Sequence, residues 1–232
     1  MTNLDLYAKC EHLLGIEEAT ETLHALYLGE LEEYAPKTVL DIGCGRGGFM
    51  ELLLQEDVAV CGCDLSRAMA DTCKEKNLNV IHGSISDVSG KFDAIVAIFD
   101  VLNFLDSNEL DVFLSEVALH LEDGGIFIAD INTKHGFSNV ADGVMSSEDE
   151  NFFLNVDAAF VNDRLTTSFT LFEKTANGCY RKYQDDIKQY FHPIRSFQKH
   201  PLMKLTAKQT FSLYDTKDKT LLIMKHSASK VS

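Results

Sequence analysis

The stretch Val39-Leu-Asp-Ile-Gly-Cys-Gly-Arg-Gly-Gly-Phe49 reads as a short buried strand, a glycine-rich turn and the start of a helix. Glycine lets the backbone pass close to a ligand, and free N–H groups at a helix N-terminus favour a carboxylate or a phosphate. Gly43, Gly45 and Gly48 also satisfy the dinucleotide spacing G-x-G-x-x-G, and Asp64 follows Gly43 by 21 residues, where an acid hydrogen-bonds a ribose. The stretch therefore predicts a nucleoside-containing ligand at the end of a strand.

Asp41 separates two classes of ligand for this turn. Its carboxylate stands two residues before the first glycine, where it would repel a diphosphate but hold an ammonium group or its ordered water. An acid at the end of an apolar strand is costly unless it is used. Asp41 and Asp64 are therefore predicted to be functional. The closing antiparallel hairpin described below also argues against a dinucleotide-binding domain, which does not require one.

Apolar runs alternate with amphipathic helices around this stretch. Helical spacing predicts a helix that includes Leu23 and Tyr34, Ser66 is predicted to cap a second helix, and Asp106 with Glu109 a third. Gly124-Gly125 is predicted to stop the third helix. This alternation predicts an α/β, Rossmann-like doubly wound sheet with helices on both faces. The predicted strands are 38–43, 58–63, 79–82, 92–99 and 126–131.

After Asn132 the hydrophobic period changes to two, which indicates antiparallel strands. Runs 152–160 and 165–171 are separated by a turn at Asn162-Asp163, and a third run, 179–191, follows the turn at Asn177-Gly178. The stretch 133–150 is predicted to be loose. A short helix at best follows Pro193, and 204–214 with 220–225 is predicted to form the closing hairpin.

The charge of the chain excludes one class of partner. The 232 residues carry 21 Lys plus Arg against 36 Asp plus Glu, a formal net charge of −15. A duplex or tRNA binder needs a basic face to neutralise phosphates, so nucleic acid is not an expected partner. The hydrophobic share of 45%, with 15 Phe and 3 Pro, suffices for a packed core.

Residues 1–10 lack a signal-peptide core, and the longest apolar run, 94–99, is far shorter than the ~18 residues of a membrane helix. We expect a cytoplasmic protein without membrane contact. The six cysteines include no Cys-x-x-Cys, which favours reduced thiols. Cys61 and Cys63 are more typical of core residues than of ligands, and the histidines show no ligand spacing, so no metal is expected.

Four segments together resemble class I S-adenosylmethionine-dependent methyltransferases. They are Asp41-Ile-Gly-Cys-Gly-Arg-Gly, Cys63-Asp-Leu-Ser, Phe92-Asp-Ala-Ile-Val and Leu121-Glu-Asp-Gly-Gly-Ile-Phe. The resemblance implies a seven-stranded mixed sheet with an antiparallel last strand, plus an inserted antiparallel β-sheet. It also implies one methyltransferase domain, 1–232, with four parts. These are N-terminal helices 1–35, a cofactor-binding core 36–132, an inserted β-sheet lid at about 150–192 and a closing hairpin 202–226.

The resemblance also implies site residues for S-adenosylmethionine. The loop of Gly43, Cys44, Gly45 and Gly47, after Asp41, would line the methionine part of the cofactor. Asp64 would hold the ribose hydroxyls and Leu65 would pack near the adenine, with Ser84 and Ile85 at the adenine edge, where relatives usually have an acid. Phe99 would cover the cofactor and Tyr7 would fold over it. The catalytic candidates, which would face the substrate cleft, are Asp100 and Asn103. Relatives tend to end the fifth strand with the pattern Asp-x-Asn-Thr, which is present here as Asp130-Ile-Asn132-Thr133.

Several of these residues have a second interpretation that is purely structural. Asp100 can cap a turn, Phe99 can belong to the core, and Tyr7 can lie on a helix surface. A base for the acceptor is optional, and the candidates are Asp100, His135, Asp185 and Tyr183. Relatives often have Glu-x-His on the third inserted strand, whereas this chain has Asp185-Asp-Ile187.

Three functions fit the sequence. The favoured one is methyl transfer to an N or O atom of a small-molecule acceptor, which would be the enzyme's partner. The second is a non-catalytic S-adenosylmethionine-binding module that acts through a partner or dimer interface, and the third is a nicotinamide-dependent oxidoreductase, which rests on the glycine spacing alone. A monomer or a homodimer is expected, with the inserted sheet as a lid or a dimer surface because its Phe-rich face needs cover.

Overall fold

The computed structural model describes residues 3–226. Residues 1, 2 and 227–232 belong to the predicted single domain, and the first two to the predicted N-terminal helices, but they lie outside the described residues. The helices are α1 (Asn3–Cys10), α2 (Glu17–Tyr34), α3 (Gly48–Gln55), α4 (Arg67–Glu75), α5 (Ser107–His120) and α6 (Arg195–Gln198). The strands are β1 (Thr38–Ile42), β2 (Ala59–Asp64), β3 (Val80–His82), β4 (Phe92–Ala97), β5 (Leu121–Asn132), β6 (Gly143–Glu148), β7 (Phe152–Val161), β8 (Arg164–Lys174), β9 (Tyr180–Tyr190), β10 (Met203–Phe211) and β11 (Lys219–His226).

Seven strands form the central sheet, in the order β10-β11-β5-β4-β1-β2-β3. Strands β1 to β5 pair in parallel, whereas β11 pairs antiparallel with both β5 and β10. The predicted fold class is confirmed, including the antiparallel last strand. Strand order reverses between β1 and β4, and a ligand crevice forms where the strands end at such a switch point.

Side-chain caps fix where two of the helices begin. The Ser66 hydroxyl accepts a hydrogen bond from the backbone N–H of Met69, and Asp106 accepts from Asn108 and Glu109. The Glu109 carboxylate in turn accepts from the Asp106 N–H, which completes a capping box. Both predicted helix starts are confirmed, and the caps hold the loops that precede them at the carboxyl edge of the sheet.

The end of α5 differs from the prediction. Residues Leu121–Gly125 are extended and belong to β5, and the helix ends at His120. Gly124, with φ of 82°, therefore lies within the extended segment and does not stop the helix. The pairing of β4 with β5 changes register between Phe92 and Ala94, which absorbs this irregular start of the strand.

The inserted sheet has four antiparallel strands, in the order β6-β7-β8-β9, and not the three that the sequence predicted. Strand β6 lies in the stretch predicted to be loose. It is exposed along almost its whole length, so it carries no alternation of buried and exposed residues that a pattern search could find. The predicted turn at Asn162-Asp163 is confirmed, since both residues have positive φ, as the tight hairpin between β7 and β8 requires.

The apolar face of the inserted sheet is covered by the N-terminal segment of the same chain. Leu6 and Cys10 of α1 and Leu13 after it pack with buried residues of three inserted strands, namely Leu154, Val156, Phe169, Leu171 and Ile187. Tyr7 stands edge-on to Phe169, with ring centroids 6.2 Å apart. The apolar face that was predicted to need cover is therefore covered by another segment of the same chain. In the described part of the chain, no helix has the length and apolarity needed to span a membrane.

We predict that Leu6→Ala loosens α1 without melting the core. A buried leucine replaced by alanine costs about 2–5 kcal/mol, but a terminal helix can open locally, so the loss is confined to the elements it covers. Hydrogen exchange should accelerate in α1, β7 and β8 and stay unchanged in β1, β4 and β5. Leu119→Ala, at a position 62% exposed, is the matched control and should change neither. Uniform acceleration across the central sheet would contradict this interpretation.

Candidate active site

The glycine loop is fastened to the end of the neighbouring strand β2. The N–H groups of Gly43 and Cys44 both donate to the carbonyl of Cys63, over 2.8 and 3.2 Å. The N–H of Gly45 donates to Asp64 Oδ2 over 2.9 Å, and the other oxygen of Asp64 accepts from Ser66 N–H at 2.7 Å. The turn and the acid that the sequence predicted to share a ligand therefore lie in direct contact.

Asp41 is the second acid at this edge of the sheet. It is only 2% exposed, and its carboxylate makes no hydrogen bond or ion pair with the described residues. Burial raises the pKa of Asp41 to about 8, and the Asp64 carboxylate adds to the rise. Burial also raises the pKa of Asp64, although the N–H groups of Ser66 and Gly45 oppose the shift. A buried acid without a partner is costly, which favours a cationic ligand group beside Asp41.

Two glycines of the loop, Gly45 and Gly47, differ in what a side chain at their position would meet. Both have positive φ, but a Cβ on Gly45 would enter open space, whereas one on Gly47 would collide with Leu78 and Cys73. Gly45 therefore borders the ligand side, and Gly47 is required by packing under α3. The Cys73 thiol donates to the Gly45 carbonyl over 3.2 Å, and the Cys44 residue beside it is only 8% exposed.

The residues predicted beside the adenine take three positions. Leu65, next to Asp64, is 58% exposed and free to cover a flat ring. Ser84 caps a short turn: its N–H and hydroxyl both donate to Asp87 Oδ2, over 2.9 and 3.2 Å. Ile85 is 4% exposed and belongs to the main hydrophobic core, so its predicted contact with a cofactor is not supported by this arrangement.

The carboxyl end of β4 holds the first predicted catalytic residue. Phe99 and Asp100 both have positive φ, at 68° and 66°, a conformation that costs side-chain-bearing residues free energy. Asp130 on β5 stabilises it by accepting from the N–H of Phe99 at 2.8 Å and of Asp100 at 3.3 Å. The Asp130 carboxylate also accepts from the Tyr27 hydroxyl at 2.8 Å.

Asp100 is paired with a lysine that sequence reasoning missed. Lys219, the first residue of β11, is 1% exposed and donates a short hydrogen bond from Nζ to Asp100 Oδ1. Its Nζ lies 3.6 Å from Asp130 Oδ2 and 5.4 Å from the centre of the Phe99 ring. Burial raises the pKa of Asp100 to about 6, against the opposing effect of Lys219. The burial of Lys219 could not be predicted from the local sequence, because its partners Asp100 and Asp130 are more than 80 residues away in sequence.

Two tyrosines border Asp100. Burial is the main cause that raises the pKa of Tyr7, and Tyr214 and Asp100 contribute to the rise. The pKa of Tyr214 is raised by burial and then by Asp100. Tyr7 is therefore not a surface tyrosine: it is half-buried on α1 and packs edge-on against Phe169 of the inserted sheet. Tyr214 was not singled out from the sequence because it ends the predicted strand 204–214 and belongs to no motif.

Asn103, the second predicted catalytic residue, is a buried structural bridge. Its side-chain Nδ2 donates to the Tyr190 carbonyl at the end of β9 over 2.8 Å, and its Oδ1 accepts from the Asn132 N–H on β5 over 2.9 Å. It is fully buried, so its amide does not face a substrate. These two bonds give Asn103 a structural role, which fixes the inserted sheet to the core, and its catalytic role stays a prediction.

The other base candidates are not brought to the site. His135 pairs with Asp215 over 2.8 Å in exposed loops, and the Tyr183 hydroxyl donates to Glu173. Asp185 lies exposed on β9 and accepts from the N–H of Asp186. Burial raises the pKa of Asp100, and Asn132 of β5 is among the residues that oppose the rise. Of the four predicted bases, Asp100 is the one that lies at the switch point of the sheet.

Known proteins share this fold. The family model of a methyltransferase domain matches residues 39–125. A chain from Geobacillus sp. (strain WCH70), provisionally named as a methyltransferase, is 22% identical over 174 residues, 70% of this chain and 70% of that one. The structure of an S-adenosylmethionine-dependent methyltransferase from Clostridium acetobutylicum ATCC 824 superimposes with a TM-score of 0.76 at 20% identity, over 95% of this chain and 96% of that chain.

One similar structure contains the cofactor that the sequence predicted. The S-adenosylmethionine-bound amino pentose methyltransferase from Micromonospora echinaspora, which is involved in calicheamicin biosynthesis, has a TM-score of 0.73 at 15% identity and covers 98% of this chain and 99% of its own. Residues 39–125 form a methyltransferase domain, and the whole chain has the fold of S-adenosylmethionine-dependent methyltransferases. The predicted family, enzyme class and cofactor are thereby confirmed.

The methyltransferase domain offers groups that fit S-adenosylmethionine. The unpartnered, buried carboxylate of Asp41 matches the ammonium of the methionine part, and Asp64 retains lone pairs for ribose hydroxyls beyond its two backbone bonds. The open space beside Gly45 admits the ligand to the loop. Arg46 closes the far side, donating to the Ala8 carbonyl at 2.6 Å and to Glu11 at 3.0 Å, and so ties α1 across the glycine loop.

We predict that Asp41→Asn weakens cofactor binding while it stabilises the free methyltransferase domain. The folded-state pKa is raised above its ordinary 3.8, so the ionisation of Asp41 costs stability progressively as pH rises from about 4 to about 8. Asn removes that cost, so the free energy of unfolding at pH 7 should increase by about 1 kcal/mol or more, with no gain at pH 4.

Calorimetry with S-adenosylhomocysteine should show an affinity about 10- to 100-fold lower for Asp41→Asn, because the charge-assisted bond to the ammonium is lost. Asp157→Asn, an exposed acid on β7, is the matched control and should change neither quantity. Unchanged affinity in Asp41→Asn would remove Asp41 from the cofactor site.

We predict that Asn103→Ala destabilises the protein but does not alter the chemistry once it is folded. The variant leaves a buried carbonyl and a buried N–H without partners, which costs about 1–3 kcal/mol each. The melting temperature should fall by several degrees, whereas Asn108→Ala, on the exposed start of α5, should leave it unchanged. Normal melting together with a large loss of turnover would restore Asn103 as a catalytic residue.

Proposed function

We propose that the enzyme transfers a methyl group to a nitrogen or oxygen atom of a small molecule, with Asp100 as the proton acceptor. The observation that carries the proposal is the partly accessible Asp100 carboxylate, 11% exposed as a side chain, at the end of β4 near the glycine loop. When bound, S-adenosylmethionine supplies a sulfonium-activated methyl group that is displaced in line with a neutral leaving group. The chain's own residues then need to align the acceptor, exclude water and remove one proton.

The surroundings of Asp100 support a small acceptor. Tyr7 from α1 and Tyr214 from the loop before β11 adjoin it, and α1 is latched across the glycine loop and packed on the inserted sheet. An acceptor beneath this cover must fit between these side chains. The net charge of −15 also disfavours a polyanion such as tRNA.

An amino group is the acceptor that these side chains suit best. With a pKa of about 6, Asp100 is ionised at neutral pH, so it pairs with an ammonium group and can take the proton that the nitrogen must lose before it attacks. The neutral nitrogen would then accept the methyl group that S-adenosylmethionine supplies, with the thioether as the leaving group. The similarity to an amino pentose methyltransferase supports an acceptor of this chemical class.

We predict that Asp100→Asn and Asp64→Asn separate catalysis from cofactor binding. Asp64→Asn should weaken binding of S-adenosylhomocysteine about 10- to 100-fold, because ribose hydroxyls lose charge-assisted bonds. Asp100→Asn should bind it normally but lower kcat about 10²- to 10⁴-fold. The wild-type rate should rise as pH increases through about 6, since the base acts when deprotonated. Calorimetry measures the binding, and transfer of an isotopically labelled methyl group to a panel of amines and alcohols measures the turnover. Asp157→Asn is the control for both.

The outcomes of this experiment decide between the competing functions. Labelled product from an amine or an alcohol supports the proposal. Binding of S-adenosylmethionine without turnover across the panel would favour the non-catalytic binding module that acts through a partner. Asp100→Asn with wild-type kcat would remove Asp100 from the reaction, whichever acceptor is found.

A further inference from the structure

Lys219 is buried more completely than lysine normally is in a folded protein. It is 1% exposed at the start of β11, where it pairs in the sheet with Asn132. Full burial of a lysine is costly unless anions surround it. Here Asp100 and Asp130 outweigh the effect of burial and raise the pKa of Lys219, so it stays charged at neutral pH.

The two carboxylates that share Lys219 are not equivalent. The side chain of Asp130 is 0% exposed, and its oxygens already accept from the Tyr27 hydroxyl and from the N–H groups of Phe99 and Asp100. Asp100 is 11% exposed as a side chain. Asp130 therefore fixes the backbone around Asp100, and Asp100 is the carboxylate that a substrate can reach.

The backbone before Lys219 is fixed as well. The Asp218 carboxylate accepts from the N–H groups of Leu213 at 2.7 Å and Tyr214 at 2.9 Å, and its carbonyl accepts from Thr133 N–H at 2.8 Å. These bonds hold the turn between β10 and β11 against the end of β5. The ammonium group of Lys219 consequently has one preferred place, under the ring of Phe99 and against Asp100.

We propose that Lys219 is a positioning residue for methyl transfer, whose ammonium group holds the Asp100 carboxylate in place as an ionised proton acceptor. The inference rests on the proposed function and deepens it, because it assigns a role to a residue that touches neither the methyl group nor the acceptor. The proton moves from the acceptor atom to Asp100, while Lys219 keeps its own proton throughout.

The charge balance around Asp100 explains why a cation is needed. Burial and the Asp130 carboxylate favour the neutral form of Asp100, and Lys219 and Asn132 oppose them. Without Lys219, two carboxylates would share a buried site with no cation, and one would bind a proton. Asp100 would then be protonated at neutral pH and could not act as a base. The ionisable and polar groups that face this site from the packed elements are Tyr7 of α1, Tyr27 of α2, Asp130 and Asn132 of β5, Tyr214 and Asp218 of the turn, and Lys219 of β11.

The direct test is the titration of the Asp100 carboxyl carbon by NMR in protein saturated with S-adenosylhomocysteine, with the resonance assigned by its loss in Asp100→Asn. The wild-type midpoint is expected near pH 6, and Lys219→Met should raise it by at least one pH unit. At pH 7 the rate of methyl transfer should fall about 10- to 100-fold in Lys219→Met, with kcat affected more than KM, and should recover partly at higher pH.

A double variant tests the effect of Lys219 on Asp100 at constant net charge. Lys219→Met combined with Asp130→Asn removes one cation and one anion, so the net charge of the cluster stays the same and folding is preserved better than in the single variant. The Lys219 effect on Asp100 exceeds that of Asp130, so the midpoint of Asp100 should still lie above the wild-type value. A wild-type midpoint in the folded double variant would overturn the proposal.

The wild-type chain offers a version of the test that needs no Lys219 variant to fold. The ¹⁵N resonance of Lys219 Nζ should shift with a midpoint near pH 6, as Asp100 titrates, and Asp100→Asn should abolish that shift. Absence of the shift in the wild-type protein would overturn the proposal. These NMR titrations use no methyl acceptor. Failure to find turnover would therefore count against the proposed function only, whereas the titrations by themselves decide whether Lys219 acts on Asp100.

Discussion

The carboxylate of Asp130 is the interaction on which the arrangement of the site depends. It accepts from the Tyr27 hydroxyl of α2 and from two backbone N–H groups at the end of β4, and its second oxygen lies 3.6 Å from Lys219 Nζ. One fully buried anion thus joins a helix and three neighbouring strands of the sheet. It also stabilises the positive φ of Phe99 and Asp100, which turns Asp100 towards the site. A strained backbone persists where the surrounding structure fixes it, and Asp130 is what fixes it here.

Buried acids account for the site's chemistry and for part of its energetic cost. Asp41, without a partner among the described residues, and Asp100, paired with Lys219, both have raised pKa values because burial disfavours their charge. The two differ in what offsets that cost. The free chain provides Lys219 for Asp100, whereas the partner that suits Asp41 is the ammonium group of the cofactor. Stability and function therefore oppose each other at Asp41 but not at Lys219.

The inserted sheet and α1 stabilise each other by mutual packing. The sheet alone would expose an apolar face, and α1 alone is a helix of 8 residues, too short to be stable in isolation. Packed on each other they bury Leu6, Phe169 and Leu171, and Asn103 joins the end of β9 to the core. The surroundings of Asp100 thus include residues from outside the cofactor-binding core, among them Lys219 of the closing hairpin.

The family resemblance implied the seven-stranded sheet with its antiparallel last strand. The sequence by itself determined the alternation of strands and helices, the closing hairpin and the helix caps at Ser66 and Asp106. Each of these depends on local period, on turn chemistry or on residues within one strand-loop-helix unit. Only the tertiary structure decided that Ile85 is core, that Asn103 is a bridge, that β6 is a strand and that Tyr7 faces Asp100. The pairing of Lys219 with Asp100 was also decided there, since 119 residues separate them. Burial of a polar side chain depends on the neighbours that the fold assembles, and no local pattern encodes those neighbours.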